Sequence, residues 1–223
     1  MSNLLVVLLG PPGSGKGTQG ALLSERSSMK HISTGDLLRA NIIAGSELGK
    51  KAEALQKTGS YVDDETMIAM ISEVLTGKEP ILLDGFPRTG PQALALDCLA
   101  AAKDMKILPV LLEVDNDILS RRLTGRLTHP ASGRVYHTET APPKSPIKDD
   151  FTGEPLVRRP DDAPELIARR LEIYQSGIAP VLEHYENNGL VRVEASRLAE
   201  EVTASLEDII EKAFTPVPTG LEF

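Results

Sequence analysis

Residues 4–18 read LLVVLLGPPGSGKGT. The apolar run Leu4–Leu9 does not alternate with polar residues, which predicts a strand buried on both faces. The glycines that follow allow positive φ angles and a close approach of the backbone to a ligand. Successive N–H groups in such a loop, with a helix N-terminus behind them, form an anion-binding nest. The stretch therefore predicts a buried strand, an anion-binding loop and a helix in succession.

The spacing of Gly10, Gly15 and Lys16 is typical of a Walker A loop, whose backbone cradles phosphates while the lysine reaches the terminal ones. The residues expected to line a bound triphosphate are Gly13, Ser14, Gly15, Lys16, Gly17 and Thr18. Gly17 stands where the general pattern has the Ser or Thr that binds Mg²⁺, and the hydroxyl comes one residue later. The pattern thus gives weaker support for a direct protein ligand to Mg²⁺.

Length and composition limit the class of protein. A chain of 223 residues can form one substantial core with a small insertion. The formal net charge of −8 argues against non-specific binding to nucleic acid or anionic membranes. No apolar run approaches the roughly 20 residues that span a bilayer, and the N-terminal run lacks the basic leader of a signal peptide.

The chain has a single cysteine, Cys98, so it cannot form an internal disulfide, which fits a reducing compartment. We expect a cytoplasmic monomer, while an organelle address within the sequence stays open. Cys98 lies four residues after Leu94 in a helical pattern, which predicts a core thiol rather than a nucleophile.

Predicted strands and helices alternate along the chain, which indicates an α/β fold with a parallel sheet and helices on both faces. After the first strand, strands are expected to end at Ile32 and to cover residues 81–84, 107–114 and 190–195. Helices are expected over residues 19–29, 34–44, 46–59, 63–75, 91 onward, 117–124, 164–186 and 198–214, before a mobile tail at 215–223. Ligands of such sheets bind beyond the C-terminal ends of the strands, where Gly10 and Asp84 both lie.

The segment Ile81–Asp84 resembles a Walker B strand, an apolar run that ends in an acid able to hold Mg²⁺ or its waters. Two other segments differ in composition from the rest. The helices of residues 33–62 carry few large apolar residues and predict a small flap. Residues 126–162 are rich in Pro, Gly, Ser, Thr and charged residues and predict an inserted lid of short strands and loops.

Several longer motifs occur in order, namely Gly10–Gln19, Ser33–Arg39, Asp84–Thr89, Gly125–Arg126, His129–Tyr136, Pro142–Lys144 and Arg159–Asp162. With them the chain strongly resembles the adenylate kinases of the long-lid type, over residues 4–212. The resemblance implies a P-loop NTPase-type five-stranded parallel sheet with two mobile insertions. Residues 1–32, 63–124 and 163–223 would form the core, residues 33–62 the monophosphate-binding flap and residues 125–162 the lid.

The reaction implied by the resemblance is reversible phosphoryl transfer, in which Mg·ATP and AMP give two ADP. The attacking phosphate oxygen is already anionic, so positioning and charge neutralisation are required rather than a general base. The resemblance places around the phosphates Lys16, Arg39, Arg88, Arg122, Arg126, Arg159 and Arg170, of which all but Arg39 are assigned as catalytic. The neighbouring Arg121, Arg158 and Arg169 are interpreted as surface or secondary charges.

The resemblance also implies how each nucleotide is held. The AMP site would comprise Thr34 and Gln92 as readers of adenine, main chain of Ser60, Tyr61, Val62, Gly85, Phe86 and Pro87, and the phosphate ligands Arg39, Arg88, Arg159 and Arg170. Beside the Walker loop, the ATP site would comprise Arg122, Arg126, Val135, Tyr136 and Arg197. Asp84 and Asp36 would orient the waters of Mg²⁺, and Asp161 and Asp162 would pair with arginines at the lid hinge.

Some members of this family hold zinc with four lid cysteines. The matching positions here are His129, Ser132, Asp149 and Thr152. Because no thiolate is present, we expect a hydrogen-bonded cluster rather than a structural zinc site. A weak metal site through His129 and Asp149 is the lesser alternative.

Other functions remain open from the residues. Within the enzyme class, one alternative is GTP:AMP phosphotransfer. The other is a pyrimidine monophosphate kinase, and the long lid argues against this second alternative because the pyrimidine enzymes have short lids. Outside it, a non-catalytic nucleotide-sensing P-loop module would bind nucleotide without AMP-dependent turnover. A GTPase would need an Asn-Lys-x-Asp base reader, and the sequence has none.

Overall fold

The structure, a computed structural model, describes residues 3–57 and 60–214. Five parallel strands form one sheet in the order β2-β3-β1-β4-β7. These strands are β1 (Asn3–Leu9), β2 (Lys30–Ser33), β3 (Ile81–Asp84), β4 (Met105–Glu113) and β7 (Val191–Glu194), while β5 (Arg126–Thr128) and β6 (Val135–His137) form a separate antiparallel pair. The helices are α1 (Lys16–Arg26), α2 (Thr34–Ile43), α3 (Glu47–Gln56), α4 (Asp64–Val74), α5 (Gly90–Ala102), α6 (Asn116–Thr124), α7 (Pro164–Glu186) and α8 (Ala199–Phe214).

The central strand β1 explains the apolar run that opens the chain. It lies between β3 and β4, and residues Leu4–Leu9 are each at most 2% exposed. Its odd-numbered side chains join a core cluster with α4, α5 and α7, while its even-numbered ones join a second cluster with α8 on the other face. The predicted α/β fold with a doubly covered parallel sheet is confirmed.

Strand β3 ends in Asp84 and strand β1 is followed by Gly10, and both of these ends lie at the same edge of the sheet. Leu8 of β1 pairs with Asp84 of β3, and Gly10 follows directly. The loop from Gly10 to Gly15 then leads into α1. Gly20, inside α1, lies against His31: a Cβ there would lie 2.3 Å from Nε2 of His31, so a larger residue would displace the imidazole ring.

Side-chain caps fix the first turns of α3 and α4. The Ser46 hydroxyl accepts a hydrogen bond from the Gly49 N–H at 3.0 Å, and Asp63 Oδ1 accepts one from the Thr66 N–H at 2.9 Å. Ser and Asp are among the residues preferred at this position because their side-chain oxygens accept such bonds. Asp115 occupies the cap position of α6 without making a side-chain bond.

The predicted flap, residues 33–62, contains α2 and α3. Although these helices carry few large apolar residues, they pack on the main core cluster through Ala52 and Leu37. The predicted lid, residues 125–162, contains the β5–β6 pair and a small cluster of its own, formed by Leu127, Tyr136 and Leu156. The division into core, flap and lid remains a prediction.

Several predicted details differ from the structure. Cys98 is exposed, so its assignment as a core thiol is wrong. Helix α5 buries Gln92, Ala93, Leu96 and Ala100, and Leu94 on the opposite face is 60% exposed, so Cys98 shares the solvent-facing side with it. Helix α1 begins and ends three residues earlier than predicted, and β4 begins two residues earlier. The predicted helix stop at Gly59 and the tail at 215–223 lie outside the described residues.

Candidate active site

Three glycines shape the loop after β1. Gly10, Gly13 and Gly15 have φ angles of 143°, 86° and 100°, which only glycine adopts without strain. The Lys16 ammonium donates hydrogen bonds to the carbonyl oxygens of Gly10 at 2.7 Å and Pro11 at 2.9 Å. The loop thus curls around its own lysine.

Burial lowers the pKa of Lys16 to about 8, and the nearby Asp84 carboxylate counteracts part of this effect. The cations Arg88, Arg170 and Arg126 lower the pKa further. These influences place Lys16 within the electrostatic reach of residues that come from three separate stretches of the chain.

Asp84 and Gly17 face each other at the base of the loop. A Cβ on Gly17 would lie 3.5 Å from Oδ2 of Asp84, so a hydroxyl side chain at position 17 would fill the space between loop and carboxylate. Glycine leaves that space open. The arrangement fits Mg²⁺ held through water by Asp84 and a nucleotide rather than by a direct hydroxyl ligand. In the part of the chain described, no group of three or more His, Cys, Asp or Glu could hold a metal by itself.

Asp36, the second residue predicted to orient Mg²⁺ waters, forms an ion pair with Arg39. Burial raises the pKa of Asp36, but Arg39 and Arg159 more than offset that effect, so the pKa lies below its ordinary value. The carboxylate also faces the lid, because a Cβ on Gly133 would lie 3.7 Å from its Oδ1. Flap and lid therefore meet at Asp36.

At the root of the lid, Asp162 lies between two arginines. Its Oδ2 accepts a hydrogen bond from Arg126 Nε at 2.8 Å and its Oδ1 one from Arg126 Nη2 at 2.5 Å. Arg170 Nη1 donates to the same Oδ1 at 3.1 Å and contacts Asp161 Oδ2 at 3.1 Å. The Asp162 side chain is 1% exposed, so this is a buried arginine–carboxylate cluster.

The predicted phosphate ligands converge on this cluster. Burial, with help from Arg126 and Arg39, lowers the pKa of Arg159 to about 9, which still leaves it charged at neutral pH. Burial likewise lowers the pKa of Arg170, with opposing effects of Asp161 and Asp162 and further lowering by Arg126 and Arg88. Arginines from separate stretches of the chain thus act on one another electrostatically.

Arg122 connects the loop to the far end of the sheet. Its Nη1 donates to the Ser14 carbonyl and its Nη2 to the Arg197 carbonyl, both at 3.4 Å. The structure therefore places the main chain of Arg197 beside the phosphate loop. Of the other loop residues, Ser14 is buried, and Gly17 and Thr18 are exposed.

The predicted AMP site begins at Thr34. Its hydroxyl donates to the Asp84 carbonyl at 3.2 Å and packs against Gly85. A Cβ on Gly85 would lie 2.4 Å from the Thr34 hydroxyl, and the φ angle of 87° also requires glycine. Val62 and Phe86 lie in the core and Pro87 is buried, so only their main chain is available to a ligand.

Arg88 is fixed between an aromatic ring and the backbone. Its guanidinium lies 4.4 Å from the Tyr61 ring centroid, and its Nε donates to the Gly85 carbonyl at 2.7 Å. Its own N–H donates to Oε1 of Gln92 at 2.8 Å, and Gln92 Nε2 donates to Asp64 Oδ1 at 2.7 Å. Sequence reasoning missed Asp64, because an acid in the first turn of a helix is equally expected for its dipole.

The lid residues divide into two groups. Val135 is 40% exposed, whereas Tyr136 is buried and its hydroxyl donates to Asp149 Oδ1 at 3.0 Å. Tyr136 is therefore anchored inside the lid through its polar end.

The four residues at the zinc-ligand positions lie together in a hydrogen-bonded cluster. His129 Nδ1 pairs with the Ser132 hydroxyl and its Nε2 with Glu154 Oε2, both at 2.7 Å. Thr152 donates from its N–H and its hydroxyl to Asp149 Oδ2 at 2.9 Å and 3.0 Å.

Arg134 completes the cluster as a bidentate donor to Asp149, at 2.8 Å from Nε and 2.6 Å from Nη2. The Arg134 guanidinium holds the pKa of the buried Asp149 carboxyl well below its ordinary value, and Thr152 and Tyr136 add to this effect. Arg134 and Glu154 were not among the predicted cluster residues, and spacing alone gives no signal for either.

The fold and the glycine-rich loop define a P-loop protein with an adenylate kinase-type sheet. The adenylate kinase family model matches residues 8–190. An adenylate kinase of Neurospora crassa is 44% identical over 214 residues, which cover 93% of this chain and 77% of that protein. An adenylate kinase of Aspergillus terreus is 43% identical over 213 residues, 93% of this chain and 83% of its own. An adenylate kinase 2 of Schistosoma mansoni is 43% identical over 210 residues, with coverage of 92% and 88%.

The chain belongs to the adenylate kinase family. It is accordingly a nucleoside monophosphate kinase, a phosphotransferase enzyme that binds nucleotides.

Proposed function

We propose that the enzyme transfers the γ-phosphoryl group of Mg·ATP to AMP, reversibly, to give two ADP. The observation that carries this proposal is the grouping of cations near Lys16. Asp162 holds Arg126 and Arg170 together, both of these arginines act electrostatically on Lys16, and Arg126 also acts on Arg159. A protein that only sensed one nucleotide would not need cations for two sets of phosphates.

The need for so many cations follows from electrostatics. Two dianionic phosphates about 5 Å apart repel each other by roughly 13 kcal/mol at an effective dielectric constant of about 20. Donor and acceptor can therefore meet only where positive charge is fixed in advance. Arginine suits this task because its planar fork binds phosphate oxygens in a bidentate manner.

On this proposal the loop, Lys16 and Arg122 hold the triphosphate, and Arg39 and Arg88 hold the AMP phosphate. Arg126, Arg159 and Arg170 act between the two, where the transferred group passes. Asp161 and Asp162 keep Arg126 and Arg170 in place until phosphates arrive. The Thr128 hydroxyl, which accepts a hydrogen bond from Arg159 Nε at 3.0 Å, does the same for Arg159. No group acts as a general base, because the attacking oxygen is anionic.

Asp84, with Gly17 opposite, would hold Mg²⁺ through its waters, and the ion would neutralise charge on the β- and γ-phosphates. Asp36 contributes to this site only if it leaves its ion pair with Arg39. Thr34 and Gln92 read the adenine of AMP. The adenine of ATP lies near Arg126, Val135 and the main chain of Arg197, although the Tyr136 hydroxyl serves the lid instead.

The proximity of Gly133 to Asp36, whose Oδ1 would lie 3.7 Å from a Cβ added at Gly133, supports closure of lid on flap over bound nucleotides. Closure excludes water, which would otherwise hydrolyse the activated phosphate. We infer that reopening of the lid limits turnover. A single-turnover chemical step no faster than steady-state turnover would contradict this, because chemistry would then be the limiting step.

The experiment is a panel of nucleotide pairs. ADP formation is measured with ATP or GTP as donor and AMP, GMP, CMP or UMP as acceptor, with Mg²⁺ and with excess EDTA. We expect the ATP–AMP pair to be the best and EDTA to abolish its turnover. Preference for GTP would indicate a GTP:AMP phosphotransferase, preference for UMP or CMP a pyrimidine monophosphate kinase, and nucleotide binding without any turnover a sensing module.

We also propose that the enzyme acts as a cytoplasmic monomer. Light scattering coupled to size-exclusion chromatography tests the first point, and fractionation of cells tests the second. Among the described residues, none of the helices combines the length and apolar character needed to cross a membrane.

A further inference from the structure

Asp64 is placed to orient Gln92, which reads adenine on the proposed function. It lies at the start of α4, and its two carboxylate oxygens face the start of α5. Oδ2 accepts a hydrogen bond from the Thr89 hydroxyl at 2.8 Å, and Oδ1 accepts one from Gln92 Nε2 at 2.7 Å. Thr89 in turn accepts the Gln92 N–H at 3.4 Å as the cap of α5. One carboxylate therefore ties down both the backbone and the side chain of Gln92.

The Gln92 amide is held at both of its polar atoms. Its Oε1 accepts from the Arg88 N–H at 2.8 Å while its Nε2 donates to Asp64. A primary amide has two N–H donors and can accept two hydrogen bonds at its oxygen. Gln92, 3% exposed, thus retains one donor and one acceptor for a ligand.

These partners also fix which end of the amide is which. A backbone N–H can only donate and a carboxylate can only accept. Rotating the amide by half a turn would set its oxygen against Asp64 and its NH₂ group against the Arg88 N–H. Both contacts would be repulsive and buried, so the amide has a single orientation.

The orientation matters because the two purines present opposite patterns. Adenine offers an acceptor at N1 and a donor at its 6-amino group, whereas guanine offers a donor at N1 and an acceptor at its 6-oxo group. An amide that could rotate by half a turn would form hydrogen bonds with either base. An amide held in one orientation suits one base and leaves buried polar groups unpaired with the other, which is how sites reject close analogues strongly.

We propose that Asp64 is a positioning residue that makes the monophosphate site selective for AMP over GMP by holding the Gln92 amide in one orientation. The inference rests on the proposed function, in which Gln92 reads the acceptor base. Asp64 acts through Gln92 and Thr89 and has no part in phosphoryl transfer.

The test compares Asp64→Ala and Asp64→Asn with the matched controls Glu65→Ala and Glu65→Gln. Glu65 is the next residue in the same helical turn and is exposed, so its variants remove the same charge without touching Gln92. For each protein, kcat and KM are measured with AMP and with GMP as acceptor at saturating Mg·ATP, together with the KM for ATP. Thermal unfolding establishes that each variant is folded.

For Asp64→Ala we expect the AMP-to-GMP ratio of kcat/KM to fall by at least about tenfold, mostly through a higher KM for AMP. Asn keeps an acceptor for Gln92, but its amide can rotate by half a turn together with that of Gln92. The AMP-to-GMP ratio of kcat/KM should therefore fall by about threefold in Asp64→Asn. The KM for ATP should stay within about twofold in all variants, and both Glu65 controls should match the parent.

An unchanged AMP-to-GMP ratio in Asp64→Ala would overturn the proposal, whether kcat/KM stays the same or falls equally with both acceptors. An equal fall is the result that a merely structural role produces. If Asp64→Ala does not fold, Asp64→Asn decides, and a ratio equal to that of Glu65→Gln overturns the proposal. Failure of the proposed function is distinct, because the parent itself would then form no ADP from ATP and AMP.

Discussion

The guanidinium carbon of Arg88 lies 4.4 Å from the centroid of the Tyr61 ring. The ring comes from the end of the flap, and the arginine from the loop after β3. Because the Gly85 carbonyl accepts the Arg88 Nε–H, the guanidinium is fixed on one side by the ring and on another by the backbone. Tyr61, from the segment predicted to be the flap, thus packs directly against an arginine of the loop after β3.

Replacing Tyr61 by Ala should raise the KM for AMP by about 3- to 30-fold, the range expected for loss of one cation–π contact. The KM for ATP should stay near that of the parent, since Arg88 faces the acceptor on the proposed function. Tyr61→Phe keeps the ring and is the matched control. Equal KM values for AMP in the Ala and Phe variants would show that the ring does not position Arg88.

The neighbouring arginines of α7 allow a paired test of the charge cluster. Arg170 contacts Asp161 and Asp162, while Arg169 is exposed. Arg170→Ala should lower kcat by about 10²- to 10³-fold, as loss of one preorganised charge does elsewhere. Arg169→Ala removes the same charge one residue away and should leave kcat within about twofold of the parent. Similar losses in both variants would favour a role for overall charge instead.

The lowered pKa of Lys16 predicts a pH dependence. In the free enzyme the ammonium loses its proton as pH rises through about 8, so kcat/KM for ATP should decline above that pH. Bound phosphates favour the charged form, so kcat at saturating nucleotides should hold to a higher pH. Rate profiles at limiting and saturating ATP measure the difference. A common break point in both profiles would contradict the assignment to Lys16.

The same group affects stability in the opposite direction. Between about 8 and the ordinary value of 10.5, the unfolded chain binds more protons at this lysine than the folded one. The contribution of Lys16 to the free energy of unfolding therefore becomes more favourable as pH rises across that interval. Denaturant unfolding of the parent and of Lys16→Met, compared at each pH, isolates this contribution.

The lid should depend on Asp149 more than on any neighbouring acid. Asp149→Asn loses the bidentate pairing with Arg134, so the lid should open locally and be cleaved by a protease about tenfold faster than in the parent. Asp150, whose Oδ1 accepts a hydrogen bond from the Lys144 N–H at 2.7 Å, supplies the control Asp150→Asn. Mass spectrometry of the fragments locates cleavage within residues 125–162, and equal cleavage of both variants would count against the cluster as the support of the lid.

The low pKa of Asp149 adds a condition to that prediction. A carboxylate with a depressed folded-state pKa contributes stability that is present above its ordinary pKa and is lost only as pH falls through the depressed one. Mild acid should therefore leave the Asp149 pairing intact. Protease resistance of the parent lid, followed as pH is lowered toward about 5, measures this.

Local rules in the sequence predicted much of the fold. Helix α7 and strand β3 have the bounds that Pro164 and the run ending at Asp84 indicate, because start signals and continuous apolar runs are local properties. Cys98 could not be placed in the same way. The spacing to Leu94 shows that both residues share a helix face, but only the tertiary packing decides that this face is turned to solvent.

The candidate site divides in the same manner. Motifs and family resemblance point to Lys16 and the arginines, yet their internal partners cannot be derived from spacing. Asp64 meets Gln92 across 28 positions, and Arg134 meets Asp149 across 15 positions. Such pairings depend on how helices and hairpins dock, so only coordinates reveal them.

On the proposed function, Asp162 takes the place of a phosphate between two arginines of the site. Asp162 accepts hydrogen bonds from Arg126 and Arg170 and so reduces the repulsion between their charges. The two arginines can therefore stay close together between catalytic cycles. Tethering gives it a high effective concentration, and an incoming nucleotide has to outcompete it. On the proposed function, this competition weakens the binding of ADP as well as that of ATP, which favours rapid exchange of nucleotides over tight binding.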